Sequence, residues 1–237
     1  MTNFQEKLIN KAKEYNIEIT EAMAINFEKY MEILLKWNEV MNLTAITEED
    51  DIIIKHFIDS LICTKYISDE KNMIDVGTGA GFPGVPLAIY YNGTKKIVLL
   101  DSLNKRINFL KEVVETLELK NVECIHGRAE EMAHKVEYRE KYDLVVSRAV
   151  AALNVLSEFN SGYIKKNGKA IFMKGSNYKE EVINSDAALN KLNLKIVKRE
   201  EYYLESDILH SIIVANKEGS TPKTYPRSFG KIKKAPL

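Results

Sequence analysis

From about residue 72 onward, short apolar runs alternate with amphipathic segments, and this rhythm restricts the chain to few folds. The runs cover residues 73–76, 97–100, 122–125, 144–146, 170–173, 194–197 and 212–215. A strand with one wet face alternates polar and apolar residues, whereas a run that is largely apolar is buried on both faces. Such strands belong to a parallel sheet with helices packed on each side. The segment after Asp101 supplies one such helix, with Leu103, Ile107, Leu110, Val113, Val114 and Leu117 at helical spacing. The last two segments, residues 194–204 and 211–217, are separated by only about six residues, centred on SDILHS, too few for a parallel crossover, so they are expected to pair antiparallel. The expected architecture is α/β: a doubly wound, mostly parallel seven-stranded sheet with a terminal antiparallel hairpin.

Residues 1–70 read differently. From Thr20, a plausible N-cap, apolar residues recur at Met23, Phe27, Tyr30, Leu34, Trp37 and Met41, in steps of four and three. A second helical stretch is expected at 50–66. The chain thus divides into an N-terminal helical extension (1–70), the sheet core (71–220) and a basic tail (221–237) packed on or near the core. Prolines 222, 226 and 236 are expected to keep the tail extended. The charge balance is even, 34 basic against 34 acidic residues, so bulk charge does not announce a nucleic acid; the tail nevertheless carries Lys223, Arg227, Lys231, Lys233 and Lys234 with no acid. No apolar run approaches the length of a membrane span, the first residues have no apolar signal core, and the two cysteines have no metal spacing. A cytoplasmic, metal-free monomer is expected.

The first run leads into DVGTGAGFPGVP, residues 75–86. Glycines after a strand permit a tight turn and let a ligand approach the backbone. A G-x-G-x-x-G match exists at Gly79, Gly81 and Gly84, which keeps a dinucleotide enzyme open. In the frame that begins at Gly77, however, Phe82 takes the place of the third glycine and would crowd a pyrophosphate. Asp75, just before the loop, disfavours an adjacent diphosphate and favours a positively charged ligand such as S-adenosylmethionine; it could instead only tie the loop through backbone N–H groups. Asp101 ends the second run, where an acid can accept hydrogen bonds from both ribose hydroxyls. The third run leads to Gly127-Arg128-Ala129-Glu130-Glu131 and the fourth to Ser147-Arg148-Ala149. Candidate cofactor residues are therefore Asp75, Gly77, Gly79, Gly81, Phe82, Asp101, Ala129, Glu130 and Arg148.

Trp37-Asn38, Asn42-Leu43-Thr44-Ala45, Lys55-His56-Phe57-Ile58-Asp59-Ser60-Leu61, the glycine loop, LLDSLNKRINFL, HGRAEE, VVSRAVA, FMKG and TPKTYPRSFGKIKKAPL together resemble the RsmG (GidB) family of bacterial 16S rRNA methyltransferases. The resemblance spans essentially the whole chain. It implies a class I, Rossmann-like methyltransferase fold, S-adenosylmethionine as cofactor, and transfer of a methyl group to N7 of a guanine in 16S rRNA of the small ribosomal subunit. Carried over by motif, the cofactor positions are Gly77, Phe82, Ala129, Glu130 and Arg148; the other candidates rest on the loop chemistry alone.

Guanine N7 presents a lone pair in the ring plane, so no base has to remove a proton before attack, and positioning and electrostatics are expected to supply the acceleration. No catalytic dyad is visible, and none is expected. Ser147-Arg148-Ala149-Val150 stands where exocyclic-amine methyltransferases carry Asn/Asp-Pro-Pro-aromatic, which argues against adenine N6. Arg148 and Lys174 are candidate substrate contacts. Lys223, Arg227, Lys231, Lys233 and Lys234 are candidate RNA contacts, with Tyr225 or Phe229 available for stacking. Removing the tail is expected to spare cofactor affinity. The alternatives are a small-molecule methyltransferase, a dinucleotide oxidoreductase, and a ribosome-binding module without catalysis.

Overall fold

The computed structural model describes residues 1–205 and 208–237. Seven strands form one sheet: β1 (Asn72–Val76), β2 (Lys96–Asp101), β3 (Val122–His126), β4 (Tyr142–Arg148), β5 (Ile164–Lys174), β6 (Leu194–Tyr203) and β7 (Leu209–Lys217). Their order is β3-β2-β1-β4-β5-β7-β6. The first five strands are parallel, and β7 runs antiparallel to both β5 and β6. The expected terminal hairpin is thus present, although Ser206 and Asp207 of its SDILHS connection lie outside the described residues.

The apolar runs sort by parity, as the pleat requires. Met73, Ile97, Leu99, Leu144, Val146, Ile171, Met173, Ile212 and Val214 face one core. Ile74, Val76, Val98, Leu100, Val145, Ala170, Phe172, Ile213 and Ala215 face the other. The first core is roofed by the N-terminal helices and by helices Gly84–Tyr91 and Asn104–Thr116; the second by helix Leu153–Ser161 and its neighbours. Leu103 departs from its expected place in the helical stripe: it precedes helix Asn104–Thr116 as the N-cap and is 52% exposed.

The extension begins with α1 (Asn3–Glu14) and α2 (Glu21–Met41). Thr20 caps α2 through its hydroxyl, which accepts from the Met23 N–H at 3.3 Å. Phe27, Tyr30 and Leu34 from the expected stripe are fully buried. The helical stretch at 49–66 changes character on the way, with a π-helical turn at Ile52–Ile58 and a 3-10 turn at Ile62–Tyr66. The extension is not a separate module: Phe4, Phe27 and Phe57 belong to the same apolar cluster as Leu99 and Val146 of the sheet.

Register places the carboxyl ends of β1 to β4 side by side, where Asp75 pairs with both Leu99 and Val146, and Asp101 with His126. β1 has β2 on one flank and β4 on the other, so the strand order reverses there while the strands stay parallel. Open α/β sheets bind ligands in the crevice at this switch point.

Candidate functional site

A cavity of about 900 Å³ opens at that edge. The glycine loop forms its floor. Gly77, Gly79 and Gly81 have φ of +74, +62 and +98°, a backbone conformation that disfavours side chains, and Gly81 and Gly79 differ in the space around them. A Cβ on Gly81 would stand 2.6 Å from Val85 Cγ2 and 2.7 Å from the Tyr30 hydroxyl; one on Gly79 would project into open space, its nearest neighbour 4.0 Å away. The loop is hung from β2 by the N–H groups of Gly77 and Thr78, which both donate to Leu100 O.

Asp101 lines the cavity and is only 4% exposed. Its Oδ1 accepts from Leu103 N–H at 2.9 Å, and its Oδ2 accepts from Gly79 N–H at 3.0 Å and from the Arg106 guanidinium at 3.4 Å. Gly127, Ala129 and Glu130 form the next stretch of wall. Phe82, Arg148 and the Ala149–Val150 turn face them from the other end, where the sequence motifs of the extension join: Leu43, Thr44 and His56 line the same cavity.

Three aromatic and cationic groups are stacked there. The His56 ring lies on the Phe82 ring, 4.3 Å between centroids and 19° between planes. The Arg148 guanidinium sits 4.9 Å from the Phe82 centroid and donates to Asp59 Oδ2 at 2.7 Å and to Lys55 O at 3.0 Å. Asp59 Oδ1 accepts from the Tyr202 hydroxyl at 2.7 Å and lies 3.2 Å from His210 Nδ1. Burial alone would raise the Asp59 carboxyl, but the His210 hydrogen bond, the Arg148 charge and the Tyr202 hydroxyl outweigh it and hold the group below the ordinary range. His56 is pushed down to about 4 by burial and by the neighbouring arginine, so it is neutral at physiological pH. Its Nε2 is 2.8 Å from Thr44 Oγ1.

Among the cofactor candidates, Gly77, Gly79, Phe82, Asp101, Ala129, Glu130 and Arg148 share this cavity; Asp75 and Gly81 lie behind its floor. Asp75 is fully buried, and its Oδ2 accepts from Thr78 Oγ1 at 2.7 Å and Gly84 N–H at 2.8 Å. This is the loop-tying geometry. Its Oδ1 has no protein partner, and burial pushes the carboxyl up to about 7.

Two candidates are corrected. Lys174 does not reach the cavity: its ammonium donates to Glu181 Oε2 at 2.7 Å and to Ala151 O at 2.6 Å, which props the turn after β4 from behind. Arg227 is not free for RNA either. It forms a bidentate pair with the fully buried Glu158, Nε to Oε1 at 2.8 Å and Nη2 to Oε2 at 2.7 Å. The tail is also not extended throughout: between Pro226 and Pro236 it forms the short helix Phe229–Lys234, with Ser228 at the N-cap position but no side-chain capping bond. Lys223, Lys231, Lys233 and Lys234 are exposed. Sequence reasoning did not name Leu43, Thr44, Leu103, Arg106, Val155, Phe159, Ile232 or Pro236 as lining residues. Leu43, Thr44, Leu103, Arg106, Ile232 and Pro236 lie within the sequence motifs named above, which could have found them, whereas Val155 and Phe159 lie outside those motifs and far along the chain from the glycine loop.

The family model described as "rRNA small subunit methyltransferase G" (GidB) matches residues 23–205. The chain belongs to this family. A ribosomal RNA small subunit methyltransferase G from Alkaliphilus metalliredigens is 48% identical over 98% of this chain and 99% of its own length. One from Clostridium perfringens is 49% identical over 93% of each. Among solved structures, M. jannaschii TYW2 in complex with AdoMet superposes with a TM-score of 0.52 at 18% identity, covering 68% of this chain and 74% of that one, which shows the shared class I methyltransferase fold.

S-adenosylmethionine is the cofactor of the methyltransferase G family, and the cavity fits it. Asp101 offers carboxylate oxygens to hydroxyl donors, Gly79 leaves bare backbone toward the opening, and the size suits a nucleoside with an amino-acid arm. Among the described residues, no three His, Cys, Asp or Glu side chains group as metal ligands, and no helix is long and apolar enough to cross a membrane.

Proposed function

We propose that this protein transfers a methyl group from S-adenosylmethionine to N7 of a guanine in 16S rRNA, acting on the small ribosomal subunit as a cytoplasmic monomer. The observation that carries the reading is the match of residues 23–205 to the rRNA small subunit methyltransferase G family, and the β4 edge of the cavity agrees with it. Arg148 is a cation tied to Asp59, and His56 is a neutral ring stacked on Phe82 and engaged with Thr44. Both groups are already engaged, and N7 has no proton to lose.

Within this reading Asp101 accepts from the ribose hydroxyls, and the Ala129–Glu130 segment reads the adenine edge. Gly77, Gly79 and Phe82 cradle the amino-acid arm, with Arg148 available to its carboxylate through the N–H groups that Asp59 leaves unused. Asp75 and Gly81 act through the shape of the loop. The bound cofactor supplies an electrophilic methyl on a sulfonium. The protein's part is to hold the flipped base in line with it and to exclude water. Lys223, Lys231, Lys233 and Lys234 grip phosphates, and this grip weakens with salt.

The test is incubation of the pure protein with isotopically labelled S-adenosylmethionine and small subunits lacking the modification, followed by mass spectrometry of the RNA nucleosides. Labelled 7-methylguanosine is expected. Label on another nucleoside, or on a metabolite only, overturns the assignment.

A further inference from the structure

The C-terminal helix Phe229–Lys234 shares the cavity with the glycine loop and Asp101, through Phe229, Ile232 and Lys233, and Pro236 follows it there. The match to the family model ends at residue 205, so it assigns nothing to this segment. The sequence itself suggested a tail that serves RNA alone.

The tail is fastened to the core before it reaches the cavity. Arg227 closes its two-pronged pair with Glu158, and the Arg227 N–H donates to the same carboxylate at 2.8 Å. Arg139 donates to the carbonyls of Thr221, Pro222 and Tyr225, and His134 Nε2 lies 2.7 Å from Pro226 O. Beyond the helix, Asn154 donates to Leu237 O at 3.1 Å. A segment held at both ends by buried or half-buried bonds is a wall, not a loose arm.

Its inner apolar residues, Phe229 and Ile232, are the wrong chemistry for phosphate and the right chemistry for a flat heterocycle, while Lys233 adds a cation to the same lining. Ile232 is 1% exposed, whereas Phe229 remains 45% exposed in the lining of a cavity. The Arg128 guanidinium stands 5.9 Å from the Phe229 centroid, and Arg128 immediately precedes the Ala129–Glu130 wall. Phe229 is thereby placed beside the Arg128–Glu130 stretch of the cavity wall. Leu103, beside Asp101, is another large apolar side chain left exposed in the lining, as is Val150. Half-exposed Leu and Phe side chains on a cavity gain by covering the faces of a ring, at roughly 25 cal/mol per Å² of apolar surface removed from water.

We propose that the C-terminal helix is part of the cofactor site: the adenine ring lies against Phe229 and Ile232 of the tail, with Leu103 covering it from the sheet side. This rests on the methyltransferase reading for the identity of the ligand, but not on the identity of the RNA target. Lys231 and Lys234 stand exposed on the same helix, so a segment that contacts rRNA also closes over the nucleoside.

The test is calorimetric affinity of the full chain, wild type and Phe229→Ala, for S-adenosylhomocysteine and for 5′-methylthioadenosine, which lacks the amino-acid arm. Phe229→Ala is expected to weaken both ligands by the same factor, about five- to twentyfold, and Phe229→Leu to restore most of the loss. Affinities within twofold of wild type, or a loss confined to S-adenosylhomocysteine, overturn the proposal. So does a variant that loses only subunit binding measured without cofactor, because Phe229 then serves the substrate. A readout that needs no variant is hydrogen exchange of the amides of residues 228–236 in wild type. S-adenosylhomocysteine is expected to slow it, and unchanged exchange at saturation overturns the proposal. If wild type binds neither ligand, the cofactor reading itself fails, and if it binds both but methylates no rRNA, only the substrate reading does.

Discussion

Arg148 at the end of β4 and Asp59 in the extension are joined by a 2.7 Å charge-assisted bond, with side chains 14% and 5% exposed. The pair bridges the sheet and the N-terminal helices at the lip of the cavity. Breaking such a pair leaves a charge without its partner in a poorly solvated place, which costs about 3–5 kcal/mol. Asp59→Ala is therefore expected to destabilise the fold by roughly that amount in urea unfolding. Combined with Arg148→Met, the loss should be smaller than with Asp59→Ala alone; a fully additive double mutant would show that the two residues do not act as a unit.

His56 makes stability depend on acidity. Its folded value is about 4 and its ordinary value 6.5, because burial and the Arg148 charge disfavour the imidazolium. Between these values the unfolded chain binds a proton that the folded chain refuses, so this contribution is complete above pH 6.5 and is lost as pH falls toward 4. The loss is about 3 kcal/mol in order of magnitude. His56→Gln keeps a polar group toward Thr44 but cannot titrate. Unfolding free energies from pH 7 to pH 4 are expected to fall more steeply for wild type than for the variant, and parallel curves would exclude this origin.

The ion pair of Arg227 with Glu158 should behave as an anchor. Arg227→Lys keeps the charge but loses the fork that meets both carboxylate oxygens. It is expected to release the tail to limited proteolysis near residue 227 while the sheet core stays intact, and Arg227→Ala should do so more fully. Resistance equal to wild type in both variants would show that the remaining bonds suffice.

Asp101→Ala removes the carboxylate that faces the cavity and also the bond to Gly79 N–H. A loss of at least tenfold in affinity for S-adenosylmethionine is expected by calorimetry. Asp101→Asn should lose less, because its amide oxygen still accepts. Lys174→Met should leave cofactor affinity within about twofold and instead lower the melting temperature, since Lys174 serves Glu181 and Ala151 O rather than a ligand.

The sheet was legible because the apolar runs of its inner strands β1, β2, β4, β5 and β7 are buried on both faces, so their composition reports their surroundings; the edge strands β3 and β6 are largely exposed and depart from that expectation. The helix from Thr20 was legible for a similar reason: a cap and a stripe are both local. The floor of the cavity could be read from glycine spacing, since a loop that must turn sharply near a ligand declares itself within a dozen residues. What could not be read was commitment. Nothing near Lys174 in sequence announces that Glu181 will take its charge, and nothing near Arg227 points to Glu158, because each pair is made by the fold. The tail helix failed for the opposite reason. Pro226 and Pro236 flank it without entering it, and the six residues of Phe229–Lys234 give too short a pattern to weigh against three prolines. Leu103 was misplaced because a helical period cannot see that the helix begins one residue later.

The glycine loop and the extension have grown into each other. The Tyr30 hydroxyl donates to Ala80 O in the middle of the loop, and the Phe82 ring is flanked by Tyr30, His56 and Phe57, at centroid distances of 5.5, 4.3 and 6.3 Å. A chimera that paired this sheet with a foreign N-terminal segment would inherit a loop whose keystone faces empty space. Any recombination that preserves the enzyme has to carry residues 1–70 and the loop as a single heritable block, although 50 residues of chain separate Tyr30 from the Ala80 carbonyl that it holds.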